Sequence, residues 1–219
     1  DVPSASFLNV QLGTGFNSNT IGKYFLQAPG GKLDWLGIDN GTRALPDALP
    51  LKSSFSALSP AEKTELGKKF RNNWVAKSGA APLNASFQIN GGGTTKIFGK
   101  KVAGIFALTY NQSNKRTPFD NMFIANNDGD VEIKYNNNKY SRDVLAGALA
   151  NITLQLNSNN KISVKNLINI NTTDFVTDRY DGRDYILSGG GNGDRIKAKE
   201  IGFRQNTFFN TQIIGEHNL

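Results

Sequence analysis

The sequence predicts an all-β fold: an antiparallel sheet of about six strands that forms part of a larger transmembrane β-barrel. Three observations lead to this prediction. Apolar and polar residues alternate in several segments, which places them on opposite faces of a strand. The connections between these segments alternate between short turns and long polar stretches. No run of about 18 consecutive apolar residues occurs, so no transmembrane helix is predicted.

Composition narrows the classes of function. The chain has 219 residues, a formal net charge of +7 and an isoelectric point near 9.5. Its basic residues are scattered, which favours solvated loops and strand ends over a nucleic-acid patch. Cysteine is absent and His217 is the single histidine, which argues against thiolate chemistry, a histidine-based triad and a multi-histidine metal site. We therefore predict no enzyme activity, no catalytic residue, no cofactor and no metal.

The first strand is predicted at residues 6–17, and a long irregular segment follows at 17–81. Glycine and proline dipeptides in this segment mark turns. The residues at 59–62, Ser-Pro-Ala-Glu, form a capping box with proline at the first helical position. We therefore predict a helix from residue 60 to about residue 74, with Leu66, Phe70 and Trp74 on one face.

A β-hairpin is predicted at residues 83–110. Two alternating segments flank a glycine-rich stretch at 91–100, which we interpret as the turn. Residues 111–144 are predicted to form a long polar loop, in which 131–135 extends a strand. The apolar face of the hairpin consists of Leu83, Ala85, Phe87, Ile89, Val102, Gly104, Phe106, Leu108 and Tyr110.

The last three strands are predicted at 145–156, 161–171 and 195–219. A tight turn at 157–160 joins the first two, and a long loop at 172–194 precedes the third. Short turns would then lie at one end of the sheet and long loops at the other, as in outer-membrane barrels. In that arrangement apolar rows face lipid and polar rows face a water-filled lumen. Six strands do not close a barrel, so we expect further strands to complete it.

Five sequence blocks occur in the order and spacing of a known family: GGKLDWLGIDNGTRALP, ELGKKFRNNW, FGKKVAGIFALTY, GALANITLQLNSNNKISVKNLIN and FRQNTFFNTQIIGEH. They resemble the barrel domain of TonB-dependent outer-membrane receptors. The closest resemblance is to the Bacteroidetes-type, SusC-like receptors that carry an N-terminal carboxypeptidase-regulatory-like domain. It covers nearly the whole chain, so residues 1–219 would all belong to one β-barrel domain.

This resemblance implies a single-chain barrel of about 22 strands with an N-terminal plug. The plug, the signal peptide and the remaining strands would lie outside these residues. The protein would reside in the cell outer membrane and import a nutrient ligand, such as a glycan, a peptide or a metal chelate. Its implied partners are the rest of the barrel and the plug, the TonB complex, the lipid bilayer and a SusD-like surface lipoprotein. No nucleic-acid partner is implied.

The candidate ligand-binding residues lie in the first long loop, on the extracellular side: Asp34, Trp35, Asp39 and Arg43. An exposed aromatic ring flanked by polar groups can stack on a sugar or a peptide. The alternative, which we favour, is that Trp35 and Trp74 hold the loop and its helix in a small satellite core. The acidic segments at 126–130 and 178–184 lack the spacing of a calcium-binding EF-hand, so we interpret them as turns.

Two other functions are compatible with the sequence. A related barrel that no longer transports would scaffold an outer-membrane assembly or a secretion complex. A soluble β-sandwich at the cell surface would bind glycans. The TonB-dependence of uptake separates the first alternative from transport, and detergent-free solubility with saturable sugar binding would favour the second.

Overall fold

A computed structural model describes residues 3, 5–71, 73–124, 129–184 and 194–218 of the chain. These residues form one six-stranded antiparallel sheet and one separate two-stranded sheet. The prediction of an all-β fold is therefore confirmed, and the larger sheet is open rather than closed on itself. Among the residues described, no helix combines the length and the apolar character needed to cross a membrane.

Long strands dominate the second half of the chain, whereas short strands and helices occupy the first half. In chain order the elements are β1 (Phe7–Gly15), β2 (Tyr24–Gln27), a 3₁₀ helix (Asp34–Leu36), α1 (Lys52–Phe55), α2 (Pro60–Lys68), β3 (Lys77–Ala80), β4 (Asn84–Ile97), β5 (Lys100–Ile124), β6 (Val131–Gln155), β7 (Asn160–Asp184) and β8 (Asp194–His217). The spatial order of the large sheet is β1-β4-β5-β6-β7-β8. The small sheet pairs β2 with β3, and both strands lie in the connection between β1 and β4. We call this connection, residues 16–83, the first connection.

The glycine-rich stretch after residue 90 is strand rather than turn, which corrects the predicted hairpin. Gly91, Gly92 and Gly93 belong to β4 and pair with β5. A Cβ at Gly92 would lie 2.8 Å from the Gly104 carbonyl oxygen, so glycine at this position permits a close approach within the sheet. The turn is formed instead by Phe98 and Gly99, whose φ angles of 48° and 75° are both positive, as in a type I′ hairpin.

The two later long loops were also predicted wrongly, because most of their residues are strand. β5 and β6 run together up to residues 124 and 131, and β7 and β8 run up to residues 184 and 194. Asparagine and aspartate are rare in strands, so these segments look like loops in sequence. Backbone pairing with long neighbours and burial under the first connection keep them extended. Residues 125–128 and 185–193 lie outside the described part of the chain.

The capping box of α2 is confirmed, but the helix is shorter than predicted. Ser59 Oγ accepts a bond of 3.3 Å from the Glu62 amide, and the Ser59 amide donates to Glu62 Oε2 at 2.8 Å. The Ser59 hydroxyl also donates to Glu62 Oε2 at 2.7 Å, and this bond together with the bond from the Ser59 amide holds the pKa of Glu62 below its ordinary value. The helix ends at Lys68, directly after Gly67, a residue of low helix propensity. The predicted helical face at 66–74 therefore does not form.

The register brings the apolar rows of all six strands onto one face of the sheet, as the alternation predicted. Two rows of paired residues cross the four neighbouring strands from β5 to β8. One row runs from Tyr110 to Thr207 and the other from Val102 to Gly215, and they mark the two ends of an apolar region on this face. We call the side chains of this face within 102–110, 146–154, 162–170 and 207–215 the apolar band. Its exposed members are Phe106, Leu108, Ile152, Ile162, Val164, Ile168, Phe209 and Ile213.

Beyond the apolar band, the same face of the sheet is covered by the first connection. Phe25 and Leu26 of β2 pack with Tyr140 of β6 and Val176 of β7, and all four residues are almost fully buried. The rings of Phe25 and Tyr140 meet edge to face at 5.5 Å between centroids. The hydrophobic core of the described chain therefore lies between the first connection and the parts of β6 and β7 that extend beyond the apolar band.

The opposite face carries the polar rows. Thr153 and Ser163 hydrogen-bond across β6 and β7 at 2.9 Å, and Asn9 donates to Asn90 at 3.1 Å. Lys161 of this face forms an ion pair of 2.8 Å with Glu216. One face of the sheet thus carries most of the polar side chains together with apolar residues such as Leu145 and Phe208, while the other face is apolar in one half and covered in the other half.

Candidate binding site in the first connection

Asp34 occupies the centre of the predicted site because the local sequence folds around its carboxylate. The Gly31 amide donates to Asp34 Oδ2 at 3.0 Å, and the Gly37 amide donates to the Asp34 carbonyl at 3.0 Å. Gly37 has a φ of 76°, a left-handed conformation that ends the 3₁₀ helix. A Cβ at Gly30 would collide with the Asp34 carboxylate. The glycines of the GGKLDWLG block therefore permit a tight turn around this buried acid.

Asp34 belongs to a network of charges that connects the first connection with the sheet. Arg43 binds both carboxylate oxygens of Asp34, at 2.6 and 2.9 Å, and contacts Asp39 at 3.3 Å. Arg142 of β6 lies 3.9 Å from Asp34 and pairs with Asp174 of β7 at 2.8 Å. We call these five residues the ion cluster. Forked guanidinium–carboxylate contacts of this kind fix geometry as well as charge.

Two of the three acids of the ion cluster, Asp34 and Asp174, are almost fully buried. Asp34 is 4% exposed and Asp174 is 6% exposed. Burial raises the pKa of Asp174 above its ordinary value, and the charges of Arg142 and Arg43 only partly oppose this effect. The hydrogen bond with Asp34 raises the pKa of Arg43. The Arg43 guanidinium therefore holds the buried Asp34 carboxylate in place, and Arg142 holds that of Asp174.

Neutral contacts complete the attachment of the first connection to the sheet. Thr172 of β7 donates to the Gly37 carbonyl at 2.5 Å, and the Asp39 amide donates to Gln205 of β8 at 2.9 Å. The Arg43 guanidinium lies 3.9 Å from the ring centroid of Phe203, a cation–π contact. These contacts reach two different strands, so they fix both the position and the orientation of the connection.

The structure brings three of the four predicted site residues together: Asp34, Asp39 and Arg43 are direct partners. Trp35 points elsewhere and is 55% exposed, although Tyr110 donates a hydrogen bond of 2.5 Å to its carbonyl and contacts its ring. Trp74 is 68% exposed, so the alternative in which both tryptophans hold the loop is wrong for Trp74. The ion cluster and β2 hold the loop instead.

Sequence reasoning missed the sheet residues of the site, Arg142, Asp174 and Phe203. Arg142 and Asp174 fall in segments that were predicted as loops. The sequence pattern that could have identified Arg142 is the alternation around it. Arg142 lies between Tyr140 and Val144 with a period of two, which places it on the covered face.

A cleft of about 290 Å³ opens beside the ion cluster. Its walls include Thr42, Arg43, Leu45, Phe70, Arg71 and Phe203. Arg71 donates to the Thr42 carbonyl at 3.0 Å and is otherwise open to solvent. The volume is at the lower limit for small-molecule sites. Of its two arginines, Arg43 is bound to Asp34 and Asp39, so the cleft offers the Arg71 guanidinium and the rings of Phe70 and Phe203 to a small ligand.

No group of three or more potential metal ligands occurs among the residues that the structure describes. The acidic segment at 178–184, which was interpreted as a turn, lies in β7. Its pairing with β8 shifts between Arg179 and Gly182, and Asp181 has a φ of 48°, so the segment is an irregular stretch of strand. Residues 126–128 of the other acidic segment lie outside the described part.

The fold and the site together define an antiparallel sheet with one exposed apolar band and one inserted connection attached by buried charges. Comparisons of the chain with protein-family models, curated proteins and solved structures give no match. Any assignment of function therefore rests on the geometry of the sheet and of the first connection.

Proposed function

We propose that the chain forms part of the barrel wall of a TonB-dependent receptor in the cell outer membrane, which imports a nutrient ligand. The observation that carries this proposal is the apolar band. On β5, β6 and β7 it spans nine residues, from 102 to 110, 146 to 154 and 162 to 170. A tilted transmembrane strand needs about 9–11 residues to cross the hydrocarbon layer.

The composition of the apolar band supports contact with lipid. On four neighbouring strands its positions carry no charged side chain. Phe209 is 66% exposed and Ile213 is 77% exposed. An exposed apolar surface that runs across four strands marks an interaction with a membrane or a protein, and two polar residues within it, Asn166 and Thr211, hydrogen-bond to each other at 2.8 Å. The polar rows opposite would then face an aqueous lumen.

The open edges of the sheet support a larger barrel. Within the part of the chain that the structure describes, β1 and β8 each pair with a single neighbour, and β8 is 24 residues long. An unpaired strand edge in lipid leaves backbone groups without partners, so neighbouring strands must cover it. Further strands of the same barrel, together with the plug, are the partners that this proposal requires.

We assign the half of the sheet that the first connection covers to the extracellular side. In this half the first connection lies on the strands, and the buried charges of the ion cluster lie beyond the apolar band. In this proposal Asp34, Asp39 and Arg43 shape the connection, while Trp35 and the cleft beside Arg71 are exposed to a ligand. Coupling to TonB, the presence of a plug and the SusD-like lipoprotein partner are inferred from the family resemblance alone.

Nutrient uptake by cells carrying the full-length protein tests this proposal. We expect the protein in the outer-membrane fraction and uptake that disappears in a strain without TonB. Outer-membrane location with TonB-independent growth would favour the non-transporting scaffold. Recovery of a folded, monomeric protein in buffer without detergent would favour the soluble β-sandwich.

A further inference from the structure

The tip of the β4–β5 hairpin has an unusual backbone for its sequence. Phe98 adopts a φ of 48°, in the left-handed region that bulky side chains rarely enter. Asparagine or aspartate before glycine is the common solution for a turn of this type. Phe98 is followed by Gly99, so only the phenylalanine departs from that solution. A strained residue of this kind is a reason to ask what its side chain does.

The side chains at the tip are also unfavourable in water. Phe98 is 100% exposed, and the neighbouring Ile97 is 48% exposed. Lys96 lies directly opposite Lys101 in the register, and like charges in that position repel each other. Among the described residues, Lys96, Lys100 and Lys101 have no ion-pair partner. Strain, apolar exposure and repulsion therefore coincide within six residues.

The position of the tip relative to the apolar band indicates which environment would offset the strain, the apolar exposure and the repulsion. Ile97 and Leu156 continue the apolar face beyond the band, at the end of the sheet with the short turns. Lys100 lies on this face too, and its ammonium group donates to the Leu156 carbonyl at 2.7 Å. Phe98 thus stands one residue beyond the last apolar position, where hydrocarbon would give way to headgroups.

We propose that this hairpin tip is an interfacial anchor that contacts anionic phospholipid headgroups. Phe98 enters the headgroup layer, where aromatic rings are favoured, and the lysines lie in its negative potential. That potential extends over about 8 Å, so it acts on Lys96 and Lys101 as well as on Lys100. The inference rests on the proposed function, because it requires that the apolar band faces lipid.

Depth-dependent fluorescence quenching tests the anchor in the full-length protein, reconstituted in vesicles. In a background with Trp35→Phe and Trp74→Phe, one variant carries Phe98→Trp and a matched variant carries Phe209→Trp in the apolar band. Further tryptophans of the full-length protein would be replaced in the same way. The vesicles contain phosphatidylcholine with or without phosphatidylglycerol, and a nitroxide on the headgroup or at mid-chain.

We expect residue 98 to be quenched more strongly by the headgroup nitroxide and residue 209 by the mid-chain nitroxide. Phosphatidylglycerol should increase the quenching at residue 98, and Lys100→Gln should reduce that increase. Quenching of residue 209 without quenching of residue 98 would overturn the anchor and leave the membrane proposal standing. Quenching of neither residue would contradict both the anchor and the membrane location of the apolar band. Quenching at residue 98 that does not change with phosphatidylglycerol would overturn the role of the lysines.

A second variant separates anchoring from folding. Phe98→Asn should relieve the strain of the turn and slow amide exchange at residues 97–101 by about fivefold. In the same variant the hairpin should lose its lipid contact, measured as headgroup quenching of Ile97→Trp. A hairpin that becomes more stable and keeps its lipid contact would show that Phe98 is not the anchor.

Discussion

Arg142 of β6 and Asp174 of β7 are cross-strand neighbours whose side chains form an ion pair of 2.8 Å beneath the first connection. Asp34 of that connection reaches the same guanidinium group at 3.9 Å. Through this arrangement a segment near the start of the chain is bound to strands more than a hundred residues later. Because the charges are buried, they hold one geometry and disfavour alternatives.

Removal of Arg142 should release the first connection. Arg142→Ala leaves Asp174 and Asp34 buried with one guanidinium group fewer, and breaking a buried pair costs about 3–5 kcal/mol. We expect faster amide exchange and proteolysis at residues 31–43, with the six-stranded sheet retained. The control is Lys68→Ala, which breaks an exposed pair with Glu65 and should change stability by less than about 1 kcal/mol. Equal effects of the two variants would contradict the role of the ion cluster.

The contribution of Asp174 to the stability of the first connection should be larger at acidic pH than at neutral pH. Burial raises the pKa of Asp174 in the folded state, so the folded state binds this proton more tightly than the unfolded state. The contribution of Asp174 to stability therefore falls as the pH rises from the ordinary aspartate value of about 3.9 through the raised value. Protection of residues 31–43 from exchange, compared between the natural protein and Asp174→Asn, isolates this contribution. A difference that does not change with pH would show that Asp174 does not titrate in this way.

Gly37 should be intolerant of a side chain for two separable reasons. Its φ of 76° strains any other residue, and a Cβ would lie 3.0 Å from Thr172 Oγ1 and 3.2 Å from Val144. Gly41→Ala is the matched control, since Gly41 has a φ of 84° but no atom within 4 Å of its Cβ position. Both variants should lose about 1 kcal/mol through strain, and Gly37→Ala should lose more. Thermal melts in detergent measure the difference, and equal losses would rule out tight packing at Gly37.

The alternation of apolar and polar residues was sufficient to predict the faces of the sheet. Val102, Leu154 and Ile162 were each assigned to an apolar row from sequence, and the register places them side by side. The same reasoning failed where the strands are polar. Asn137 is 1% exposed inside β6, in a segment that composition describes as a loop. Its burial depends on contacts with residues distant in sequence, which a local pattern does not contain.

The candidate site was predicted only in part for the same reason. The turn chemistry around Asp34 is local, so the sequence indicated a structured loop there. The partners on β6, β7 and β8 depend on how the first connection folds back over the sheet. The opposite-charge partner of Asp174 lies 32 residues away on another strand, and no spacing rule connects the two.

The apolar band is tested most directly by a matched pair of arginine substitutions at adjacent positions. Leu108 lies on the apolar face and Thr109 on the polar face of β5, at nearly the same depth. In the full-length protein folded into lipid vesicles, Leu108→Arg should lower the free energy of unfolding by about 2–4 kcal/mol, whereas Thr109→Arg should have little effect. Reversible denaturation in urea measures both values. Equal tolerance of the two substitutions would contradict the assignment of this face to lipid.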